Sequence, residues 1–392
     1  MARRHAEIAG AGFAGLTLAA ALAQRGWSVR VHERSQHVRA FGSGIWFWEN
    51  GLRVLNAIGS ADEAMSDAVE SRLWKSIAVS GRQIERVDFG PLGGPRVFCL
   101  LRDSLLRAIL YAAEHADVEI VTNSDVVGAL PDGGLELSDG TKCSADLGVA
   151  ADGVHSRIRD ALGLLQLHER HVDGEHRLVV PRHADDLLAP DAFHAVEWWG
   201  PPRRFLLTPV NNEVLYLAMA ARQDDRDGIR IPIEKESWIR SFPQLERIIG
   251  RIGSESRYDS FETIKLKRWS AGRIAVVGDA AHSMTPGLGQ GASTSMVNAL
   301  GLAVALDDAP DVEAALSLWE ARERPLTEHT QRWTLLAYPH LAVPAWRARI
   351  WFHTPVLASW IRRQRLRPAR HIARGTEGDA PWRAPEQRTR VA

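Results

Sequence analysis

The chain has 392 residues, of which 45% are hydrophobic and 24% charged, a balance that fits two or three globular domains and excludes a fibrous or disordered chain. Its 48 basic residues meet 48 acidic ones, which excludes a chain-wide field for nucleic acid or an anionic membrane. Two cysteines exclude a disulfide framework and the usual structural zinc sites. No apolar run reaches the roughly 18–20 residues of a membrane span, and Met1 to Glu7 carries charge directly into a strand-like run, so the expectation is a cytoplasmic protein without a signal peptide.

Ala6 to Ala9 reads as a short buried strand, followed by Gly10-Ala11-Gly12-Phe13-Ala14-Gly15 and a helix pattern from Leu16 to Arg25. Gly26 stops that helix, and Ser28 to His32 alternates as a second strand ending at Glu33. Strand, glycine turn, helix and strand together predict a βαβ unit with parallel strands and a right-handed crossover. Arg102 to His115 is an amphipathic helix and Val118 to Val121 a strand. Leu135-Glu136-Leu137 before Asp139-Gly140 signals a hairpin, and Leu147 to Ala151 is a strand running into Asp152-Gly153.

From about Val172 to Phe261 the pattern changes. Short runs (Arg177 to Val180, Phe205 to Thr208, Val214 to Met219), with turns such as Asn211-Asn212, predict an antiparallel sheet with one helix near Ser237 to Ile249. Arg273 to Val277 is again a parallel-type strand, leading to Gly278-Asp279, a glycine-rich loop and an apolar helix from Gly291 to Leu306. The fold class expected is α/β (α+β). A discontinuous Rossmann-like domain (1–70, 100–171 and 262–330) carries an inserted antiparallel-sheet substrate domain (71–99 and 172–261). A helical C-terminal region, 331–392, follows.

The glycine motif has a mechanical reason at each position. Gly10 permits the tight turn, Gly12 lets a pyrophosphate approach the backbone, and Gly15 lets helix and strand pack closely. The amide groups opening the helix bind phosphate. Glu33 stands where an acidic side chain accepts from the adenosine ribose.

A second motif, Gly278-Asp279-Ala280-Ala281-His282 and then Pro286-Gly287-Leu288-Gly289-Gln290-Gly291-Ala292, indicates which dinucleotide. A nicotinamide dehydrogenase has no need of a second glycine loop returning to the same sheet. FAD does, because its ribityl chain and ring need contacts of their own. Asp279 is placed to accept from ribityl hydroxyls, and the helix starting near Gly291 points its amide end at the flavin.

Three separated motifs resemble those of the class A flavin-dependent aromatic monooxygenases, which have the p-hydroxybenzoate hydroxylase fold. They are the glycine turn with Glu33, the stretch Ala151-Asp152-Gly153-Val154-His155-Ser156-Arg157-Ile158-Arg159, and Gly278-Asp279. The resemblance covers roughly residues 5 to 335. The runs Arg39-Ala40-Phe41-Gly42-Ser43-Gly44-Ile45, Asn50 to Leu55, Arg177 to Arg182, Leu215-Tyr216-Leu217 and Arg257-Tyr258-Asp259 resemble a branch that oxygenates hydroxypyridine carboxylic acids. This chain departs from that branch at Trp46, where the relative has a tyrosine, so the substrate is expected to be related rather than identical.

The resemblance implies bound FAD, NADH or NADPH as co-substrate, and O₂ added at the flavin C4a position as a hydroperoxide that attacks an electron-rich ring carbon. It implies a cofactor site of Gly10, Gly12, Phe13, Ala14, Gly15, Glu33, Arg34, Arg39, Ser43, Arg102, Val126, Asp152, Asp279, Pro286, Leu288, Gly289, Gln290, Gly291 and Ala292. The substrate would be a small hydroxylated aromatic or N-heteroaromatic carboxylic acid, hydroxylated or ring-opened. Arg204 and Tyr216 would be the catalytic pair, with Trp46, Arg177 and Pro286 lining the same pocket. By themselves, Arg204 and Tyr216 read more plainly as an ion-paired arginine and a core tyrosine. His282 likewise reads as a structural residue before a catalytic one. A flavin halogenase and a non-catalytic flavoprotein stay open as alternatives. No metal, nucleic acid or membrane partner is expected, and a monomer or homo-oligomer both fit.

Overall fold

The computed structural model describes residues 3–39, 42–90, 94–187, 193–200, 202–337 and 355–383. Ala40 and Phe41, part of one run quoted above, lie outside the described residues, as do 338–354 and 384–392 of the C-terminal region.

A six-stranded sheet has the order Ser270–Ala271, Ile274–Val276, Leu147–Ala150, His5–Ala9, Ser28–Glu33, Glu119–Thr122. All its pairs are parallel except the edge Ser270–Ala271. Its strands thus come from three distant stretches of chain. The helix Phe13–Ala23 has nine of its eleven residues buried, and the helix Gly291–Asp308 packs on it and is buried on nearly every side. Helices apolar all round have to lie inside, and this pair, with Leu16, Leu18, Leu22, Met296, Leu300 and Leu302, is the centre of the main core.

A seven-stranded sheet has the order Tyr258–Leu266, Leu165–Pro181, Val214–Arg222, Arg203–Pro209, Ala195–Gly200, Leu73–Ala78, Gln83–Asp88. It is antiparallel except where Ala195–Gly200 runs parallel to Leu73–Ala78, because the latter comes from far earlier in the chain. One face buries Leu178, Phe205, Leu207, Leu217 and Met219 against Trp238, Phe242 and Ile249. The helix expected over Ser237 to Ile249 is broken into Lys235–Ser241, a tight turn at Pro243–Leu245 and Glu246–Gly250. Pro243 lacks the amide proton that a continuous helix needs at that point.

A small sheet, Gly44–Trp48 with Val97–Leu101 and Val69–Glu70, faces the opposite side of the seven-stranded sheet. Helices Val312–Ala337 and Pro355–Leu366 follow at the C-terminal side. Among the described residues no helix is long and apolar enough to cross a membrane.

Candidate active site

The first glycine turn is too tight for side chains. A Cβ on Gly10, at φ +107°, would lie 2.4 Å from the Ala151 carbonyl oxygen, and one on Gly15 would lie 2.0 Å from that of Gly10. Gly12 is the reverse case: nothing stands within 4 Å of the place its Cβ would take. It precedes the helix Phe13–Ala23 in extended backbone, so the free space beside Gly12 lies at the amide end of that helix. That combination fits a pyrophosphate. Glu33 accepts from the Ala11 amide at 3.1 Å and the Ser35 amide at 2.9 Å, which fixes its carboxylate beside the turn.

Beyond Glu33, Arg34 lines an open cleft of about 450 Å³ with Asp125, His155 and Arg157. The Val126 carbonyl accepts from Arg157 at 3.1 Å. Arg39 is exposed, whereas Ser43 is buried and its carbonyl accepts from the Arg102 amide at 2.9 Å.

Arg102 lays its guanidinium 5.1 Å from the centre of the Phe13 ring, bringing it to the opening of the first helix. Asp279 follows Gly278, whose φ is +64°. Its side chain is exposed to solvent although it lies deep among protein atoms, as on the wall of a cleft. Burial pushes the Asp279 pKa up, against the opposing pull of Arg102 and Arg177. Burial likewise lowers that of Arg102, with the Arg177 charge adding to it.

Two buried polar atoms near these loops, Asp152 Oδ1 and Gln290 Nε2, meet no partner among the described residues, and native structures rarely leave such atoms unpaired without a ligand or water to meet them. The other oxygen of Asp152 accepts from the Arg157 amide at 3.0 Å. Arg159, 1% exposed, joins the two loops by donating to the carbonyls of Val154 at 2.8 Å and Ala280 at 3.2 Å.

The loop Pro286 to Ala292 is fastened to the small sheet. The Leu288 carbonyl accepts from Trp48 Nε1 at 3.0 Å, and Gln290 accepts from Asn50 at 3.2 Å. Gly289 sits against Trp46 and Trp48. The helix then opens at Gly291 and Ala292. The residues present thus fit an FAD, with the cradle at Gly12 and the second loop at Asp279 and Gly291.

Strand register fixes what faces this loop. Arg204 stands opposite Ala220, Thr208 opposite Tyr216, and Arg177 opposite Ala218. Side chains alternate along a strand, so Arg177, Arg204, Thr208 and Tyr216 share one face. It is the face toward the small sheet, because Trp46 Nε1 donates to Thr208 Oγ1 at 3.2 Å. Glu175, Glu197 and Trp199 lie on the same face by register. The wall is aromatic: Trp46 has Trp74 4.7 Å and Phe89 6.2 Å away, centre to centre. Leu366 and Ala369 of the C-terminal region belong to the same buried cluster as Trp46, Trp48, Phe89 and Tyr216.

Neither Arg204 nor Arg177 is bare. Arg204 Nη1 lies 3.1 Å from Glu197 Oε1, and Arg177 donates to Glu175 in a short bond. Glu175 overrides the effect of burial and raises the Arg177 pKa. Burial pushes the Tyr216 phenol well above its ordinary value, so it stays protonated and able to donate.

His282 is 2% exposed, and burial pushes its pKa down to about 4. Its Nε2 meets Asn298 at 3.0 Å and its ring lies 5.4 Å from that of Trp269, the setting of a neutral structural histidine. Folding also gathers groups that no sequence spacing reveals: Glu7, His32 and Cys143, and His155, His168 and Glu262. In the first, His32 already bonds Glu7 and Ser124; in the second, Glu262 bonds His168 and faces Arg170.

Known proteins agree with this geometry. Residues 4–331 match the family described as FAD binding domain. A 2-heptyl-3-hydroxy-4(1H)-quinolone synthase of Mycobacteroides abscessus is 43% identical over 333 residues, covering 84% of this chain and 89% of the relative. A 3-amino-4-hydroxybenzoate 2-monooxygenase of Streptomyces cremeus is 29% identical over 83% of this chain and 84% of its own. The solved 2-methyl-3-hydroxypyridine-5-carboxylic acid oxygenase superimposes with a TM-score of 0.83 at 38% identity, covering 94% of this chain and 98% of the other. The chain belongs to the FAD-binding family of class A aromatic monooxygenases.

Proposed function

We propose that the protein uses NADH or NADPH and O₂ to place one oxygen atom on an electron-rich N-heteroaromatic ring of the hydroxypyridine or 4-quinolone kind. The supporting observation is that the second glycine loop, which follows Asp279, packs its Gly289 against Trp46 and Trp48 of the aromatic wall. The names of the relatives above support the ring class.

When bound, FAD would supply the redox chemistry between the nicotinamide and O₂. The chain's own residues do the rest. Phe13 and Ala14 amides and Arg102 hold the diphosphate, and Glu33 holds the ribose. The amide end of the helix Gly291–Asp308 stabilises negative charge at its start by about 0.3–2 kcal/mol. Tyr216, kept protonated by burial, donates to a ring oxygen of the substrate. Trp46, Trp74 and Phe89 cover the ring and keep water away from it.

The test is oxidation of NAD(P)H by the FAD-loaded protein with 2-alkyl-4(1H)-quinolones and hydroxypyridines, with ¹⁸O₂ followed into the product. Stimulated oxidation with one labelled oxygen in the ring is expected. Product without label, or oxidation indifferent to every ring offered, removes the proposal.

A further inference from the structure

We propose that the Glu197–Arg204 pair makes the substrate wall electrically neutral and selects uncharged rings over ring carboxylates. It rests on the monooxygenase reading only for where the ring lies. The pair is well buried, the Arg204 side chain 11% and the Glu197 side chain 3% exposed. Glu197 meets side chains from three strands. Besides Arg204 at 3.1 Å, its Oε2 accepts from Ser76 Oγ at 3.0 Å and Trp199 Nε1 at 2.8 Å. These contacts fix the carboxylate beside the guanidinium. The guanidinium in turn lies 5.3 Å from the Trp199 ring centre, a second contact that fixes its plane.

The arginine that a substrate carboxylate would seek is therefore already matched. The neighbouring guanidinium, Arg177, is matched in the same way by Glu175, itself 3% exposed. Arg102 has Asp279 within its field. Arg204, Arg177 and Arg102 thus each have a carboxylate of this chain beside them. A bound ring carboxylate would meet Glu197 and Glu175 as like charges, with its own hydration removed by Trp46, Trp74 and Trp199 and nothing to replace it. A flat uncharged ring meets none of these costs and covers the same aromatic surface.

The experiment uses FAD-loaded protein and two probes of similar shape, 2-methyl-4(1H)-quinolone and 4-hydroxyquinoline-2-carboxylate. Binding is read from the change each causes in the flavin absorbance, without NAD(P)H. The neutral probe is expected to bind at least tenfold more tightly. In Glu197→Gln, which keeps the shape and frees the Arg204 charge, the carboxylate should gain at least tenfold and narrow or invert that ratio. Equal or tighter binding of the carboxylate by the native protein overturns the inference, as does binding of neither probe or an unchanged ratio in the variant. If the variant does not hold FAD, the native ratio decides. Because no turnover is involved, a neutral ring that binds tightly but is never oxygenated counts against the proposed reaction and leaves the charge selection standing.

Discussion

Gly44 and Tyr216 meet with no room between them: a Cβ on Gly44 would lie 2.4 Å from Cγ of the tyrosine ring. One residue belongs to the small sheet and the other to the seven-stranded sheet, so this contact sets how closely the two sheets approach. Gly44→Ala should displace the Tyr216 ring and cost about 1–3 kcal/mol of stability, as overpacking does. Denaturant unfolding measures the cost. A Michaelis constant raised at least tenfold with the FAD content kept would assign the displaced ring to the substrate, and an unchanged one would remove Tyr216 from that role.

Two glycines of one motif should fail differently. Gly15→Ala drives a methyl group into the Gly10 carbonyl oxygen, 2.0 Å away, and should yield little folded protein. Gly12→Ala meets nothing within 4 Å, so the FAD-free protein should keep its melting temperature while FAD affinity falls at least tenfold. Melting curves and flavin titration of the two variants separate packing from cofactor approach.

His282 makes stability depend on pH. Its folded pKa of about 4 lies below the ordinary 6.5, so between those values the unfolded chain binds the proton and the folded one does not. Stability is fully present above pH 6.5 and is lost as pH falls toward 4. From pH 7.5 to 5 the loss from this residue should be about 2 kcal/mol. Unfolding curves at the two pH values should show it in the native protein, with a smaller slope in His282→Gln.

Trp46 Nε1 depends on Thr208 Oγ1 at 3.2 Å, both side chains being buried. Thr208→Val strands the indole donor and should cost about 1–3 kcal/mol, whereas Thr208→Ser should cost much less. Equal melting temperatures for the two variants would show that the bond contributes nothing.

The two thiols should react unequally. Cys99 is fully buried and burial pushes its pKa far above the usual thiol value, while Cys143 is half-buried and raised less. A thiol reagent at pH 8 should label Cys143 alone in the folded protein and both residues in denaturant. Mass spectrometry of the labelled peptides reads this directly.

The cradle was legible because its information is local. Gly10, Gly12 and Gly15 lie within six residues, and their spacing carries the turn, the approach and the packing by itself. The helix Arg102–His115 appears with the expected ends for the same reason. The partners of the pocket arginines were not legible. Glu197 reaches Arg204 only because Trp199 stands opposite Arg204 in a two-strand register, and register is a property of the folded sheet. The strand Leu165–Pro181 is far longer than the run Arg177 to Val180 suggested, because its first half is polar and largely exposed and carries no apolar alternation. Trp74 and Phe89 join Trp46 from strands and turns that no motif marks.

Leu366 and Ala369 complete the buried cluster around Trp46 and Tyr216, and both lie past residue 331, where the match to the family ends. This side of the aromatic cluster is therefore closed by residues past the family match, a stretch that the solved oxygenase, covering 94% of the chain, largely shares. A substitution at Leu366 or Ala369 thus reaches Trp46 and Tyr216 without altering either glycine loop.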